Sequence, residues 1–567
     1  MRALADNITS DLIRSSLLYA SEEMGIALRN SSYSPNIKER MDHSAAIFDY
    51  NGRLLAQAEH IPVHLGSLPW GLRNILDYCE RERLELEEGC MISTNNPYIA
   101  GTHLNDITVV RPMYHSGKLV AFGANKAHHS DVGGKVPGSI STDAHTLYEE
   151  GLIIPPTYLM RHDEFDDQVL SFVTSNSRTA KERSGDLKAQ VAANFAGERR
   201  VKEILGKYGT GAFAEAADRG FAYAEKMMTT RLSQIKNGSY SSEDYLEAPD
   251  GKDIVLKVKI TISDGELEID YTGTDRQVTN PINAVFGVTL SGVHYVLRTL
   301  VGSDVPANDG AFACVKVYAP SGTILNPTYP HPVAIGNLET SQRNADLIYR
   351  AFFKAAPDKI PAASGGSMNN VMMGGIHNGK SWAFYETIGV GLGAKIAMDG
   401  IDGIQCNMTN TLNTPIEEME RSLPVVLNRY EFREDSSGAG KFRGGCGLIR
   451  AFEMFGEAST VTVVSDRSRH PPWGLKQGKD GASTEVNLYR KQGSMKNRLP
   501  VKITVDLRRR EIIEIRTAGG GGYGDPDMRD ESKIRADLKN GTLSRKYVLQ
   551  NYRKFRSKNT LAKRKKS

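Results

Sequence analysis

The sequence predicts an α+β fold, rich in β-strands, for a multi-domain chain with helical segments at its N-terminal and C-terminal ends. Three observations support this prediction. Short runs of strand-like residues are joined by turn dipeptides, helix-period apolar patterns occur near both ends, and no regular β-α-β alternation is present. At roughly 100 to 200 residues per domain, a chain of 567 residues corresponds to about three to five domains. We divide it into residues 1–240, 241–440, 441–530 and 531–567.

The first of these parts begins with a predicted helix, which Thr9 or Ser10 can cap. One face of this helix carries four apolar residues at helical spacing, namely Leu17, Ala20, Met24 and Leu28. A hairpin over residues 44–58 follows, because Asn51-Gly52 separates two strand-like runs and favours a type I′ turn.

Two further hairpins and a long helical region come next. Ser116-Gly117 is the predicted turn of a hairpin over residues 107–127, and Asp264-Gly265 that of a hairpin over residues 254–271. Between them, residues 184–236 are rich in Ala, Lys, Arg and Glu, which indicates helix. The second part of the chain, from residue 241, is therefore predicted to be mixed α+β.

The rest of the chain alternates between loops and strands. Residues 360–415 are crowded with Gly, Ser, Asn and Thr, which predicts loops ordered by their own side chains. Residues 446–516 contain short strand-like runs, and the glycine-rich residues 519–524 are interpreted as a tight structural turn. An amphipathic helical segment then precedes a basic tail over residues 553–567.

Charge and composition narrow the class of protein. The formal net charge is +4, but residues 553–567 hold eight basic residues and no acid, so the remaining chain is mildly acidic. A basic tail can bind nucleic acid or anionic lipid, although a solubilising chain end has the same composition. The sequence contains no run of about 18 apolar residues, so no transmembrane helix is predicted. Five cysteines without a Cys-x-x-Cys pair indicate a reducing compartment, so we expect a cytoplasmic protein with no membrane partner.

Histidine is concentrated in the N-terminal region, where nine of the thirteen residues of this type lie within the first 162 positions. In a hairpin that turns at Ser116-Gly117, opposed residues sum to about 233, which places Asp106 opposite Ala127 and beside His128. This pairing brings His103, Asp106 and His128 to one end of one sheet. The first hairpin similarly places Asp42 and His43 near His60 and Ile61.

Two imidazoles with one or two carboxylates form a ligand set suited to Zn²⁺, Mn²⁺ or Fe²⁺. A metal with an open coordination position polarises a carbonyl or activates water. A metal-free His/Asp acid–base pair is the alternative. Glu149 and Asp186 are further candidates for a general base. The glycines of residues 519–524 lack the Lys-Ser/Thr of a P-loop, and no ATP-binding motif is apparent.

Several of these segments together resemble the hydantoinase B/oxoprolinase family, whose members are also called N-methylhydantoinase B-type subunits. The resemblance extends from about residue 8 to about residue 550. It is carried by Gly101-Thr102-His103-Leu104-Asn105-Asp106, by Ala127-His128-His129-Ser130-Asp131, and by residues 39–42, 56–67, 185–190, 336–342, 407–411, 472–475 and 519–526. Asn95-Asn96-Pro97 departs from the Asn-Asp-Pro often found in the family, which removes one carboxylate near the predicted site.

The resemblance implies a partner and a reaction. Family members act beside, or fused to, a hydantoinase A-type subunit that binds ATP and phosphorylates a carbonyl of a cyclic amide. The B part then completes hydrolysis or, in the related acetone and acetophenone carboxylases, carboxylation. The family's metal ligands fall on Asp42, His103, Asp106 and His128, with Zn²⁺ or Mn²⁺ as the expected metal. His129 or Asp131 could then shuttle protons.

We therefore expect the B subunit of an ATP-dependent hydrolase of cyclic amides such as hydantoin or 5-oxoproline, working in a hetero-oligomer. A component of an ATP-dependent ketone carboxylase is the first alternative. A non-catalytic scaffold or nucleic-acid-binding protein that uses the basic tail is the second, and the acidic body of the chain argues against it.

Overall fold

The computed structural model describes residues 2–58, 60–490 and 495–555. Most of the predicted basic tail lies outside these residues. Eleven helices occur in the described parts. They are α1 (Arg2–Ser31), α2 (Pro35–Lys38), α3 (His64–Glu82), α4 (Pro97–Ala100), α5 (Asp167–Ser175), α6 (Ala180–Leu232), α7 (Phe286–Val301), α8 (Ser341–Ala355), α9 (Ile416–Ser422), α10 (Glu531–Asn540) and α11 (Arg545–Asn551). None of them is long and apolar enough to span a membrane.

The strands form four sheets within the described residues. The first, in spatial order β2-β1-β5-β4-β3-β6-β7, contains β1 (His43–Asp49), β2 (Leu54–Gln57), β3 (Met91–Thr94), β4 (Asp106–His115), β5 (Lys118–His128), β6 (Thr157–Arg161) and β7 (Glu164–Phe165). The second, in order β11-β10-β9-β8, contains β8 (Gly238–Glu247), β9 (Asp253–Ser263), β10 (Glu266–Asp270) and β11 (Val315–Tyr318).

The third and fourth sheets are built from the C-terminal half of the chain. The third, in order β13-β12-β16-β19, contains β12 (Asn370–His377), β13 (Lys380–Thr387), β16 (Ala458–Val464) and β19 (Lys502–Leu507). The fourth, in order β14-β15-β20-β17-β18, contains β14 (Val425–Phe432), β15 (Leu448–Met454), β17 (Glu485–Arg490), β18 (Met495–Leu499) and β20 (Ile512–Arg516). The predicted α+β class, rich in strands and helical at both ends, is confirmed. The predicted division into four parts stays a prediction, and the last two sheets combine strands from both sides of residue 440.

The first sheet is covered by helices on both faces. On one face, Leu17 and Met24 of α1 and Val201 of α6 pack against Ile47. On the other face, Leu72 of α3 belongs to a core with strand residues of β1 and β5. The apolar side of α1 is buried as predicted, but the helix begins at Arg2, so the predicted cap at Thr9 or Ser10 is wrong. Because both faces are covered, polar side chains at the end of this sheet are buried.

The register of the second hairpin differs from the prediction by one residue. Its ladder runs with Asp106 opposite His128, whereas the sequence placed Asp106 opposite Ala127. The cause is a bulge between Met113 and Tyr114 close to the turn, which the count from the turn dipeptide could not include. A bulge adds one residue to one strand, so every pair beyond it is shifted.

Two other regions correct the sequence interpretation. Residues 360–415 are not loop throughout, because β12 and β13 form a hairpin whose turn, Asn378-Gly379, has positive φ at both residues. The glycines of residues 519–524 form no tight turn. A Cβ atom on Gly519 or Gly520 would lie 1.9 or 2.0 Å from a carbonyl oxygen of Ser436 or Leu392, so glycine is required by close backbone packing.

Candidate metal centre

The candidate metal centre lies at one end of the first sheet. Asp106 is the first residue of β4 and lies opposite His128, the last residue of β5. His103 precedes β4 by three residues, and Asp42 immediately precedes β1, which is the neighbour of β5. The backbone N–H of His128 donates to the carbonyl of Asp42 at 3.0 Å. The fold therefore brings all four predicted ligands to the same sheet end.

Three side-chain atoms converge at this end. Nε2 of His103 and Nδ1 of His128 lie 3.2 and 3.3 Å from Oδ1 of Asp106, and the two ring nitrogens are 3.2 Å apart. All three side chains are at most 3% exposed. Bulk water therefore has almost no access to these donor atoms.

Two further side chains lie beside this trio. Oδ2 of Asp42 is 3.9 Å from Nδ1 of His128, but Asp42 is outside the group of three whose donor atoms all lie within 4.8 Å of one another. His64, the first residue of α3, places Nε2 3.5 Å from Oδ2 of Asp106, and its Nδ1 lies 2.9 Å from the hydroxyl of Ser44. The sequence prediction included Asp42 only through the family resemblance, and it did not include His64 in the ligand set.

The first hairpin brings His43 close to His60, as the sequence predicted. The rings of His43 and His60 are stacked with their centroids 4.9 Å apart. The backbone N–H of Ile61 donates to the Ser44 hydroxyl at 3.2 Å. Ser44 therefore connects the strand β1 to both Ile61 and His64.

The electrostatics of the centre favour an ionised Asp106 and neutral imidazoles at His64 and His128. Burial lowers the pKa of His64 and His128, although the neighbouring Asp106 opposes the shift. Burial alone would raise the pKa of Asp106, but the charge and hydrogen bonds of His103, together with His128 and His64, hold it well below its usual range. Neutral histidine and ionised aspartate are the states that bind metal ions.

The donor set fits a divalent cation. Ligand atoms of His103, Asp106 and His128 all lie within 4.8 Å of one another, and no other such group of three occurs among the described residues. Asp106 contacts three imidazoles and has no ion pair with Lys or Arg in the described parts of the chain. Two nitrogen donors and one or two carboxylates match the ligand preferences of Zn²⁺ and of Mn²⁺.

The wall of the centre includes Tyr385 and Asn36, which the sequence analysis did not identify. The Tyr385 ring of β13 stacks on the His128 ring with centroids 4.3 Å apart. Asn36 of α2 donates from Nδ2 to the His128 carbonyl at 2.6 Å. The guanidinium of Arg40 lies 4.7 Å from the Tyr385 ring centroid, and its Nη1 donates to the Tyr385 carbonyl. No local motif marks Tyr385, because its partner is distant along the chain.

The four predicted catalytic residues lie in different settings. His129 follows His128, but its Nε2 is 2.9 Å from Oε1 of Gln190 in α6, and burial lowers its pKa to about 3. Asp131 is buried and accepts hydrogen bonds from the backbone of Gly133 and from Arg178. The carboxylate of Asp131 is therefore engaged within its own loop and with Arg178.

The other two are bound to backbone groups. Glu149 accepts from the backbone N–H groups of His145 and Thr146, and so closes a capping box. Asp186 accepts from the backbone N–H groups of Tyr33 and Ser34, which fixes the end of α1 onto α6. The hydrogen bonds of both residues therefore hold chain segments together. Their catalytic roles stay predictions.

Asn96, where the family often has Asp, keeps a structural task. Its side chain accepts from the backbone N–H of Tyr98 at 3.1 Å and caps α4. Asparagine and aspartate are equally good N-caps. The substitution therefore preserves the helix start.

Comparison with known proteins is consistent with this geometry. Residues 6–526 match the family described as hydantoinase B/oxoprolinase. An uncharacterized protein of Methanocaldococcus jannaschii is 46% identical over 548 residues, covering 97% of this chain and 96% of that protein. The putative B subunit of a D-/L-hydantoinase from a Pseudomonas species is 30% identical, with coverage of 96% and 95%. For 5-oxoprolinase 1 of Arabidopsis thaliana, 36% identical, the match covers 92% of this chain but only 42% of that protein.

Solved structures show the same fold. The ATP-dependent caprolactamase of Pseudomonas jessenii superposes with a TM-score of 0.90 at 29% identity, covering 96% of both chains. A nucleotide-free acetone carboxylase structure superposes with a TM-score of 0.89 at 18% identity, covering 96% of this chain and 79% of that one. The fold, the order of the motifs and the family match agree, and the chain belongs to the hydantoinase B/oxoprolinase family.

Proposed function

We propose that this chain is the B subunit of an ATP-dependent hydrolase of cyclic amides and holds a divalent metal, Zn²⁺ or Mn²⁺. The observation that carries the proposal is the convergence of His103 Nε2, Asp106 Oδ1 and His128 Nδ1 at a buried sheet end. Asp42 is the fourth ligand in this proposal, because its carboxylate lies beside His128.

Each residue has a defined task in this scheme. The metal, when bound, supplies a Lewis acid that favours deprotonation of water and polarises a carbonyl. Asp106 is held ionised and burial favours the neutral form of His128, so a carboxylate oxygen and a ring nitrogen are available beside Nε2 of His103. Nε2 of His64 lies 3.5 Å from Oδ2 of Asp106, and a Ser44 hydroxyl that donates to Nδ1 would leave the ring proton on Nε2, facing this carboxylate.

The ATP-dependent step belongs to a partner in this proposal. An amide carbonyl is a poor electrophile, and phosphorylation of its oxygen creates a good leaving group. The sequence carries no recognisable ATP-binding motif, and this chain matches about two fifths of a 5-oxoprolinase. We therefore assign ATP binding to a hydantoinase A-type subunit in a hetero-oligomer. Five free cysteines support a cytoplasmic location.

The test uses the chain copurified with an A-type subunit. Elemental analysis is expected to give about one metal ion per copy of this chain, with ATP-dependent ring opening of hydantoin or 5-oxoproline. His103→Ala should lose both metal and turnover. His115→Ala, at the far end of the same hairpin, should lose neither. A metal-free wild-type chain, or full turnover by His103→Ala, would contradict the proposal.

Carboxylation is separated from hydrolysis in the same preparation. If ATP and a ketone are consumed only when bicarbonate is present, the complex is a carboxylase instead. Relatives named for amide chemistry share 29 to 36% identity with this chain, which supports hydrolysis.

A further inference from the structure

A cavity of about 500 Å³ adjoins the metal centre. Five chain segments line it, namely the loop and helix around Asn36, the loop at Ser130, the start of α6, the strand β13 with the turn before it, and the helix α9 with its flanks. The volume lies within the usual range of small-molecule sites. None of the four proposed metal ligands lines this cavity.

The cavity and the metal centre share a wall. Tyr385 lines the cavity and stacks on the His128 ring at 4.3 Å. Asn36 also lines it and donates to the His128 carbonyl at 2.6 Å. Ser130, two residues after His128, lies on the same wall. A molecule in the cavity is therefore one side chain away from a proposed metal ligand.

The lining combines apolar side chains with two polar groups that lack partners. Trp382, Phe384 and Met419 supply apolar surface and are at most 8% exposed. The indole N–H of Trp382 and the hydroxyl of Thr414 have no hydrogen-bond partner among the residues that the structure describes. Buried donors without partners cost free energy, which a ligand carbonyl oxygen can recover.

The ionisable groups of the lining disfavour a carboxylate. Its acids are Glu182 and Glu418. Burial raises the pKa of Glu182, the adjacent Arg183 opposes the shift, and Asp186 and Asp131 add to it. Lys380 and His377 are at the exposed or half-buried rim, and the buried part of the lining contains no Lys or Arg. A carboxylate inside the cavity would therefore lack a counter-charge in contact with it.

We propose that this cavity binds the substrate ring, and that it selects a neutral cyclic amide over one with a ring carboxylate. The ring packs against Phe384 and Met419, and a ring carbonyl accepts from the unpartnered indole N–H of Trp382 or from the hydroxyl of Thr414. This inference deepens the proposed function by naming its substrate class, and it rests on that function only for the identity of the ligand as a substrate.

The test is direct binding to the purified chain without ATP or partner. The probes are 2-pyrrolidinone and 5-oxoproline, which differ by one carboxylate, with hydantoin and caprolactam as further neutral rings. Calorimetry is expected to show at least one neutral ring that binds about tenfold or more tightly than 5-oxoproline. Quenching of Trp382 fluorescence should accompany binding and disappear in Trp382→Phe.

Variants connect the binding to this cavity. Thr414→Val should weaken binding of the neutral ring about tenfold, whereas Thr409→Val, a buried threonine of a different cavity, should not. Glu182→Gln should improve binding of 5-oxoproline and leave 2-pyrrolidinone unchanged. Metal content should be the same in all of these variants, so loss of the metal centre is recognised separately.

Three results would overturn the inference. These are equal or tighter binding of 5-oxoproline, no binding of any neutral ring, and unchanged ring binding in both Thr414→Val and Trp382→Phe. A wild-type chain without metal that still binds a neutral ring in this cavity would contradict the proposed function and leave the cavity assignment intact.

Discussion

Two buried clusters of ionisable side chains show how differently this protein treats charge. In the first, three cations meet three carboxylates, and Asp466 lies 2.8 Å from both Arg343 and Lys502. Arg467 pairs with Asp346 at 2.5 Å, and Arg343 also reaches Asp244. In this cluster, which we call the ionic cluster, charge is balanced by the protein itself.

The candidate metal centre is buried to the same degree, but no Lys or Arg of the described residues forms an ion pair with its carboxylate Asp106. Asp106 contacts the imidazoles of His64, His103 and His128, and burial lowers the pKa of His64 and of His128 despite this contact. A second carboxylate, Asp42, lies next to them. The two clusters therefore differ in whether their carboxylates have Lys or Arg partners. Matched opposite charges indicate a structural role, and an unmatched set of lone pairs indicates a site for a cation.

A third buried acid, Glu150, shows another way of burying a carboxyl group. Glu150 is 1% exposed and accepts from the backbone N–H groups of Val333 and Ala334. With no cation beside it among the described residues, burial raises its pKa to about 8, so it keeps its proton near neutral pH. One chain thus buries acids by pairing, in a candidate metal centre and by protonation.

The largest expected effect comes from breaking the ionic cluster. Asp466→Ala leaves Arg343 and Lys502 buried without their shared partner, which should cost about 3 to 5 kcal/mol of unfolding free energy. Chemical denaturation measures this loss. Asp304→Ala breaks an ion pair with Arg231 at the surface and should cost less than about 1 kcal/mol. Similar losses in the two variants would show that the ionic cluster is not structural.

The stability contributed by the candidate metal centre should depend on added metal ion rather than on an ion pair within the protein. Adding Zn²⁺ or Mn²⁺ to metal-free protein at about 100 times its dissociation constant should stabilise the fold by about 2.7 kcal/mol. Asp106→Asn should abolish that gain, because the amide cannot supply the anionic ligand. The thermal midpoint with and without metal measures both. A gain that survives in Asp106→Asn would place the metal elsewhere.

Glu150 should make stability depend on pH. Its folded pKa is raised, so its favourable contribution is complete below about pH 4.5 and is lost as pH rises toward 8. Between pH 6 and pH 8, wild type should lose about 2 kcal/mol relative to Glu150→Gln, which has no proton to release. Unfolding titrations of both proteins at several pH values give the difference. Parallel curves would mean that Glu150 is already ionised at pH 6.

The smallest effect tests the layer behind the metal ligands. Ser44→Ala removes the hydroxyl beside Nδ1 of His64 and should weaken metal binding about tenfold, or about 1.4 kcal/mol. Ser67→Ala is the matched control, because that hydroxyl bonds to the Val63 carbonyl. Competition with a chromophoric chelator measures both affinities. Equal affinities would show that His64 does not orient Asp106.

Local sequence signals were sufficient where structure depends on neighbours along the chain. The dipeptide Asn51-Gly52 and the alternation around Asp264-Gly265 correspond to observed hairpins. The pairing of those strands follows from the turn, so His43 and His60 could be placed together. Turn chemistry at Asn378-Gly379 was equally informative, but the glycine and asparagine content around it led to a prediction of loop.

Other features of the site depend on contacts that no local pattern contains. The bulge at Met113 decides that Asp106 faces His128, and bulges leave no reliable composition signal. The stacking of Tyr385 on His128 requires the third sheet to dock on the first. His64 differs, since the first hairpin already places His60 and Ile61 near Asp42 and His43. His64 follows within one helical turn, so its proximity to Ser44 could have been inferred.

The glycine-rich segment near residue 520 has a consequence for how the chain is made. A Cβ atom on Gly520 would lie 2.0 Å from the carbonyl of Leu392, and one on Gly521 would lie 2.2 Å from that of Trp473. The segment also receives a hydrogen bond from the backbone N–H of Gly391, through Ala518. During synthesis these earlier segments emerge from the ribosome well before residue 518. The backbone hydrogen bonds of this region can therefore be completed only after residues 518–521 have been translated.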